Sequence, residues 1–459
     1  MQPTEWTLHN NNQQIKLLAH KITIFQQCKV VECSGANNLR YSLFFYKNKF
    51  LTIQPLVTGD RSSFLGLLKQ KGHCINAPSP IISLLLSDSS SVKIDSINQL
   101  LSKITKQYSL LDSSLILSYF DSYIPQEQLN TRLKEAFFSY RRDGKLLGAF
   151  RLAKLLLTRG YKDTWVTSAI KHADYSDSKA HFQAPLSKLL ETEPLYAEQQ
   201  SFSHNYYETL LTLYQQQNRI IDPLIIYVKK FREDPTPSAC EELIKGLTTH
   251  LSAKEALLIQ QSLLSHVPPT SGLHQHVYQQ LMNDHNYNGA ADVLFNYSFS
   301  LSEKEAAKLL ELFTHVSLSK ISPSLQAISE RLLPFAHQSP QTFEHIIKAT
   351  LPDLLDRYSL ADIHTHFQES SEVDQLPIIS KIQEMVHLMD DTDNQLTLGK
   401  LYFDFQQYEK AIECFSWEME LRPQQTEPIQ WLVKTYQKMG KLEEVESYNN
   451  LLIQMKQSS

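Results

Sequence analysis

Residues 392–423 read TDNQLTLGKLYFDFQQYEKAIECFSWEMELRP, and residues 426–440 continue with TEPIQWLVKTYQKMG. Counted from Thr392 as position 1 of a 34-residue frame, Leu398, Gly399 and Tyr402 stand at positions 7, 8 and 11, and Ala411, Phe415 and Pro423 at 20, 24 and 32. A second frame from Thr426 stays in phase, with Leu432 and Tyr436 at positions 7 and 11 and Gly440 at 15. This spacing predicts two successive helix–turn–helix pairs. Gly399 and Ala411 are small where two helices would cross closely, and Tyr402 and Phe415 would fill the space between them. Pro423 would stop the second helix because it has no N–H to donate.

These residues resemble the tetratricopeptide-repeat family, with six of its eight signature positions filled in the first frame. The resemblance implies an α-solenoid of antiparallel helix pairs that acts as an interaction scaffold and holds a protein or peptide in a groove. In that family positions 2, 5, 9, 12 and 13 face the groove, which here implies Lys400, Phe403 and Asp404, then Gln430, Lys434, Gln437 and Lys438. The partner-binding residues expected on this basis are Lys400, Phe403, Lys434, Gln437 and Lys438, and the lysines favour an acidic partner. The lysine and asparagine set with which some members clamp a C-terminal carboxylate is not reproduced, since position 2 is Asp393 or Glu427 and position 5 is Leu396 or Gln430.

Outside this stretch, degenerate frames can be laid at 130, where Tyr140, Gly144 and Ala149 fall at positions 11, 15 and 20, and at 204, where Tyr207, Leu210, Tyr214, Tyr227 and Pro235 fall at 4, 7, 11, 24 and 32. Two further steps of 34 reach frames at 238 and 272, the latter with Ala291 and Phe295 at 20 and 24. Beyond 306 the small-residue positions fail, and irregular helix pairs are expected. Breaks are expected at Gly160, Pro194, Pro223, Pro268-Pro269, Pro323, Pro340 and Pro352.

Before residue 125 the pattern differs. Ile22, Ile24 and Phe25, then Val30 and Val31, then Leu43 to Phe45 and Phe50 to Ile53 form β-rich runs around the turn compositions Ser34–Asn38 and Tyr46–Lys49, predicting a three-stranded antiparallel unit. A helix follows Thr58-Gly59-Asp60 and stops at Gly72, and another is expected from about Asp95, as N-cap, to Tyr108. The fold class expected is mainly α, a small N-terminal α+β domain (1–125) followed by degenerate helical repeats (126–391) and two C-terminal repeats (392–459).

At 459 residues the chain accommodates one domain plus a solenoid, and only 12 glycines favour helix over a loop-rich enzyme framework. A net charge of −5 argues against a surface that tracks a phosphate backbone, so nucleic acid is not expected as a partner. MQPTEWTLHNNNQQ has neither a basic nor an apolar leader region, and no apolar run approaches the roughly 20 residues of a membrane helix, so a soluble cytoplasmic protein is expected. Cys28, Cys33, Cys74, Cys240 and Cys414 lack CxxC spacing and read as buried reduced thiols.

Nine Lys and Arg against three acids give 130–163 a local charge of +6, while 353–393 is strongly acidic. Both read first as solvated helix faces, with a phosphate or acidic-partner patch as the alternative for the basic segment. His274-x-His276 and His364-x-His366 would point their rings about 200° apart on a helix, which argues against metal. No phosphate loop, nucleophile elbow or calcium loop occurs, so no cofactor, no metal and no enzymatic activity are expected. Two alternatives remain: a regulator that responds to a peptide, and an enzyme with its site in the N-terminal domain.

Overall fold

A computed structural model gives the fold and describes residues 5–10, 13–35, 39–87, 96–158, 160–161, 163–301, 305, 307–316, 321, 323–368 and 371–458. Two compact units divide the chain, Met1–Val267 and Pro268–Ser459. The architecture is mainly helical, with a small antiparallel sheet at the start.

The sheet has six strands, β1 (Glu5–Asn10), β2 (Gln13–Phe25), β3 (Cys28–Ser34), β4 (Arg40–Tyr46), β5 (Lys49–Pro55) and β6 (His73–Asn76). Strands β1 to β5 follow one another across it, and β6 pairs with β2. Strand β2 is 13 residues long, enough to take β1 along Gln13–Leu18 and β6 along Lys21–Ile24 on the same edge. The three strands expected from sequence therefore become six. EWTLHN lacks the branched and aromatic run that marks a strand, and HCIN is too short to show a period. Of the turn expected at Ser34–Asn38, residues 36–38 lie outside the described residues; the turn after Tyr46 is present, with Lys47 at φ 56°.

Both faces of the sheet are covered. On one, Cys28, Val30, Phe44 and Tyr46 share a core with Phe64, Leu100, Tyr119, Phe120 and the helices Gln126–Arg142 and Leu146–Thr158, and that core continues to Phe182. The Phe44 ring lies 4.8 Å from Phe120, and Phe64 stacks on Tyr119 at 4.6 Å. The helix Phe64–Lys71 ends at Gly72, as the sequence predicts, and is opened by Ser63, whose side chain accepts from the Gly66 N–H. After the helix Pro80–Ser87 comes Ile97–Gln107, opened by Ser96, which forms a reciprocal capping box with Gln99. Asp95, the N-cap expected from sequence, lies outside the described residues.

Side chains alternate along a strand, so Lys29 points to the other face. It is fully buried and donates to Asp222 on the helix Ile221–Glu233 at 2.9 Å and to the Lys47 carbonyl at 2.7 Å. Arg219 joins Asp222 (2.6 Å) to Glu198 (3.0 Å), and Gln27 donates to Glu198 at 2.7 Å. Two cations and two carboxylates thus satisfy one another away from water, which is what keeps buried charge tolerable.

The sequence frames recur at the helix turns. Tyr140, Tyr214, Tyr402 and Tyr436, each at position 11, accept at their carbonyl oxygens the N–H of the residue five further on, at 2.8 to 3.0 Å. The residue at position 15 in each, Gly144, Asn218, Gln406 or Gly440, is left-handed, with φ between 53° and 73°. This is the helix-ending turn that glycine or asparagine favours. The constant step does not hold between 204 and 272. The turn of the 272 frame comes one residue early, at His285, and the 238 frame has none, because Ser252 opens the next helix directly with a capping box to Glu255.

In the second unit, Leu273–Asn283 packs on Tyr287–Asn296, and beyond them the order is irregular, as expected. Leu309–His315 packs on Pro340–Leu355, and Leu325–Gln338 packs on both Pro340–Leu355 and Leu360–Phe367. Pro352, read as a break, lies inside its helix, where buried Leu351, Leu354 and Leu355 hold the turn in place. Four regular helices close the unit: Gln395–Asp404, Tyr408–Leu421, Glu427–Met439 and Leu442–Ser458, each packed on the next. Among the described residues no strand follows β6, and no helix is long and apolar enough to cross a membrane. Cys28, Cys33, Cys240 and Cys414 are buried as expected, but Cys74 is exposed because it lies on β6, the short outer strand.

Candidate functional site

The C-terminal helix pairs are positioned by one close approach. A Cβ on Gly399 would lie 2.5 Å from the Phe415 ring, so the absence of a side chain there lets Gln395–Asp404 settle on Tyr408–Leu421. Phe415 is fully buried, and its far face stacks on Trp431 of the next helix at 5.8 Å with planes 23° apart. Phe403 meets the same indole edge-on at 5.3 Å. Trp431 is half-buried, so one part of its ring seals the core and the remainder faces outward.

Two lysines flank that outward part. The Lys434 amine lies 4.3 Å from the centre of a Trp431 ring, and the Lys400 amine 5.7 Å from it. A cation over an aromatic face is attracted by the ring's negative quadrupole. Lys400 also donates to Glu427 at 2.8 Å. That hydrogen bond holds the Glu427 carboxyl below its usual range against the opposing effect of burial, and the charges of Lys400 and Lys434 and a hydrogen bond from Trp431 act the same way. Glu427 sits in the first turn of its helix, where a negative charge also suits the helix dipole.

Of the five residues expected from sequence, the structure therefore gathers Lys400, Phe403 and Lys434 around Trp431. Gln437 and Lys438 lie one turn further along the Trp431 helix, exposed, and among the described residues no ion pair or ring contact includes them. Asp404 is 3.9 Å from Lys381. Sequence reasoning missed Trp431 and Glu427 as members of the cluster. The available signal was their i, i+4 spacing on one helix, three residues before Lys434, but Trp431 falls at position 6 of its frame, which the groove pattern does not include.

The arrangement can grip a peptide through an aromatic wall bordered by amines, with Lys434 and Lys438 open to new carboxylates and Lys400 already paired. The other constellations read from sequence are dispersed. In the basic segment Arg141 pairs with Asp174, Lys145 with Asp143 and Arg151 with Glu193, while Arg159 and Lys162 lie outside the described residues. His274 is buried with its ring 4.8 Å from Tyr297, and burial pushes His276 below its usual range. Among the described residues no group of three or more His, Cys, Asp or Glu is placed to hold a metal ion.

No protein-family model matches the chain, and no curated protein matches it by sequence. Among solved structures it is similar to a chain of the complex described as Naa15/Naa10 bound to HypK-THB, at 12% identity over 79% of this chain, with a TM-score of 0.19. The match spans 61% of that neighbour's length. At this distance it carries neither partners nor site residues across.

Proposed function

We propose that the chain is a non-enzymatic, cytoplasmic scaffold whose C-terminal helix pairs hold an acidic segment of a protein partner across the Trp431 cluster. The observation that carries this reading is a half-buried indole bordered by Phe403 and by the amines of Lys400 and Lys434, on helices of the kind that the repeat spacing implies. An apolar or aromatic partner side chain would lie against Trp431 and Phe403, while its carboxylates reach Lys434 and Lys438. Lys400 would hold the ring edge and keep Glu427 in place.

The test uses the full chain to capture partners and then titrates the captured protein, or acidic peptides cut from it, while following Trp431 fluorescence. Reversal of the two open amines, Lys434→Glu with Lys438→Glu, is expected to weaken binding by about 2 kcal/mol, with a loss that shrinks as salt rises. Lys400→Glu is the poorer variant, since it would set two carboxylates face to face. If the reversed protein keeps every partner at the parent's affinity, the site is elsewhere and these lysines serve solubility.

A further inference from the structure

The sheet of the first unit ends, along part of one edge, at β6, HCIN. This strand pairs with β2 from Lys21 to Ile24, and among the described residues no strand lies on its other side. In an antiparallel ladder successive residues turn their main-chain groups alternately towards the partner and away from it. The Ala77 N–H donates to the His20 carbonyl at 2.7 Å, which fixes the phase: His73 and Ile75 face β2, while Cys74 and Asn76 turn their N–H and C=O outward. Among the described residues no hydrogen bond reaches those outward groups. The edge borders a cleft of about 200 Å³. Ile81, Val228, Leu258 and Leu263 give the cleft apolar walls, from the helices Pro80–Ser87, Ile221–Glu233 and Ala253–Leu263. Its lining includes Arg232, exposed and in no ion pair among the described residues, and includes no Asp or Glu.

An open sheet edge is a template for a further strand. Water satisfies the outward groups of Cys74 and Asn76, but their two-residue repeat, about 7 Å, is also the repeat at which an extended peptide offers its own N–H and C=O groups. We propose that β6 and its cleft dock an extended, acidic segment of a protein partner, which adds to the sheet as a strand. Alternate main-chain groups of that segment bond Cys74 and Asn76, a branched apolar side chain lies against Val228 and Leu258, and a carboxylate reaches Arg232. A second copy of this chain is the poorer occupant, because HCIN would bring no acid to Arg232. The edge belongs to Met1–Val267 and the Trp431 cluster to Pro268–Ser459, so each site is tested without the other.

The test selects binders to the full chain from a random peptide library and then follows alkylation of Cys74, the exposed cysteine of the five. Selected peptides are expected to alternate branched residues, to carry an acid and to slow that alkylation severalfold at saturation. Because a strand uses only every second amide towards its neighbour, N-methylation of one alternate set should abolish binding and N-methylation of the other should leave it. Asn76→Pro removes one outward N–H at a position where a sheet edge tolerates proline, and should weaken binding at least tenfold, whereas Asn76→Ala retains it. Arg232→Glu should weaken binding by a similar factor, less so at high salt. Melting and circular dichroism are checked for each variant. Selection that yields no more from the parent than from folded Asn76→Pro would overturn the proposal, as would peptides that tolerate N-methylation of either set. Cys74 protection that grows with the protein's own concentration would overturn it in favour of a second copy.

Discussion

At the scale of single residues, surroundings rather than identity set behaviour. His73 lies 5.5 Å from Phe202, and its Nε2 is buried without a hydrogen-bond partner among the described residues. Burial, and then the charge of Lys229, push its pKa from 6.5 down to about 4, with Glu233 opposing. The unfolded chain takes up this proton near pH 6.5 and the folded chain only near 4, so between those values the unfolded state binds more protons. The stability contributed by neutral His73 is therefore fully present above pH 6.5 and is lost as pH falls towards 4. Denaturant midpoints measured from pH 7 to 4 should fall less steeply for His73→Phe than for the parent; parallel curves would discard the assignment. Nothing in the sequence signals this, because Phe202 and Lys229 come from helices far along the chain. Cys74 makes the same point, exposed where composition alone suggested a buried thiol.

At the scale of elements, the frames proved legible where a local rule fixes both ends of a turn. A tyrosine at position 11 and a left-handed residue at 15 recur in the frames at 130, 204, 392 and 426, although Asn218 and Gln406 replace glycine in two of them. The step of 34 failed at 238 because a capping serine can open a helix without a left-handed turn, and at 272 the left-handed turn comes one residue early, at His285. The best helix pair is held by Phe415, fully buried between Gly399 and Trp431. Phe415→Ala should cost about 3–5 kcal/mol through the cavity it leaves. Hydrogen exchange is expected to quicken first in Gln395–Asp404, Tyr408–Leu421 and Glu427–Met439, since helix pairs melt with their neighbours. Uniform quickening of β1 to β6 by the same variant would contradict that local coupling.

At the scale of the first unit as a whole, the sheet and the helices after residue 194 are joined through buried charge. Burial draws Lys29 down to about 8, against the opposing pull of Asp222, and Asp222 stays below its ordinary range because Arg219 and Lys29 outweigh the effect of its own burial. Removing one member strands the others. Asp222→Ala should destabilise the unit by about 3–5 kcal/mol, whereas the apolar pair Lys29→Met with Asp222→Leu should recover much of the loss, since it removes both charges together. Equal melting of parent and Asp222→Ala would show that the network does not bear on stability.

The sequence by itself determined the helical class, the sheet at the start, the close packing at Gly399 and the rise of lysines on the terminal helices, because each depends on spacings within a few turns of chain. The tertiary structure alone decided that β2 has two partners on one edge, that Lys29 meets Asp222 across 193 residues, and that Trp431 gathers Phe403, Lys400 and Lys434. Local periodicity sets which face of an element is buried; which buried groups then meet depends on how distant elements pack, and no local spacing encodes that.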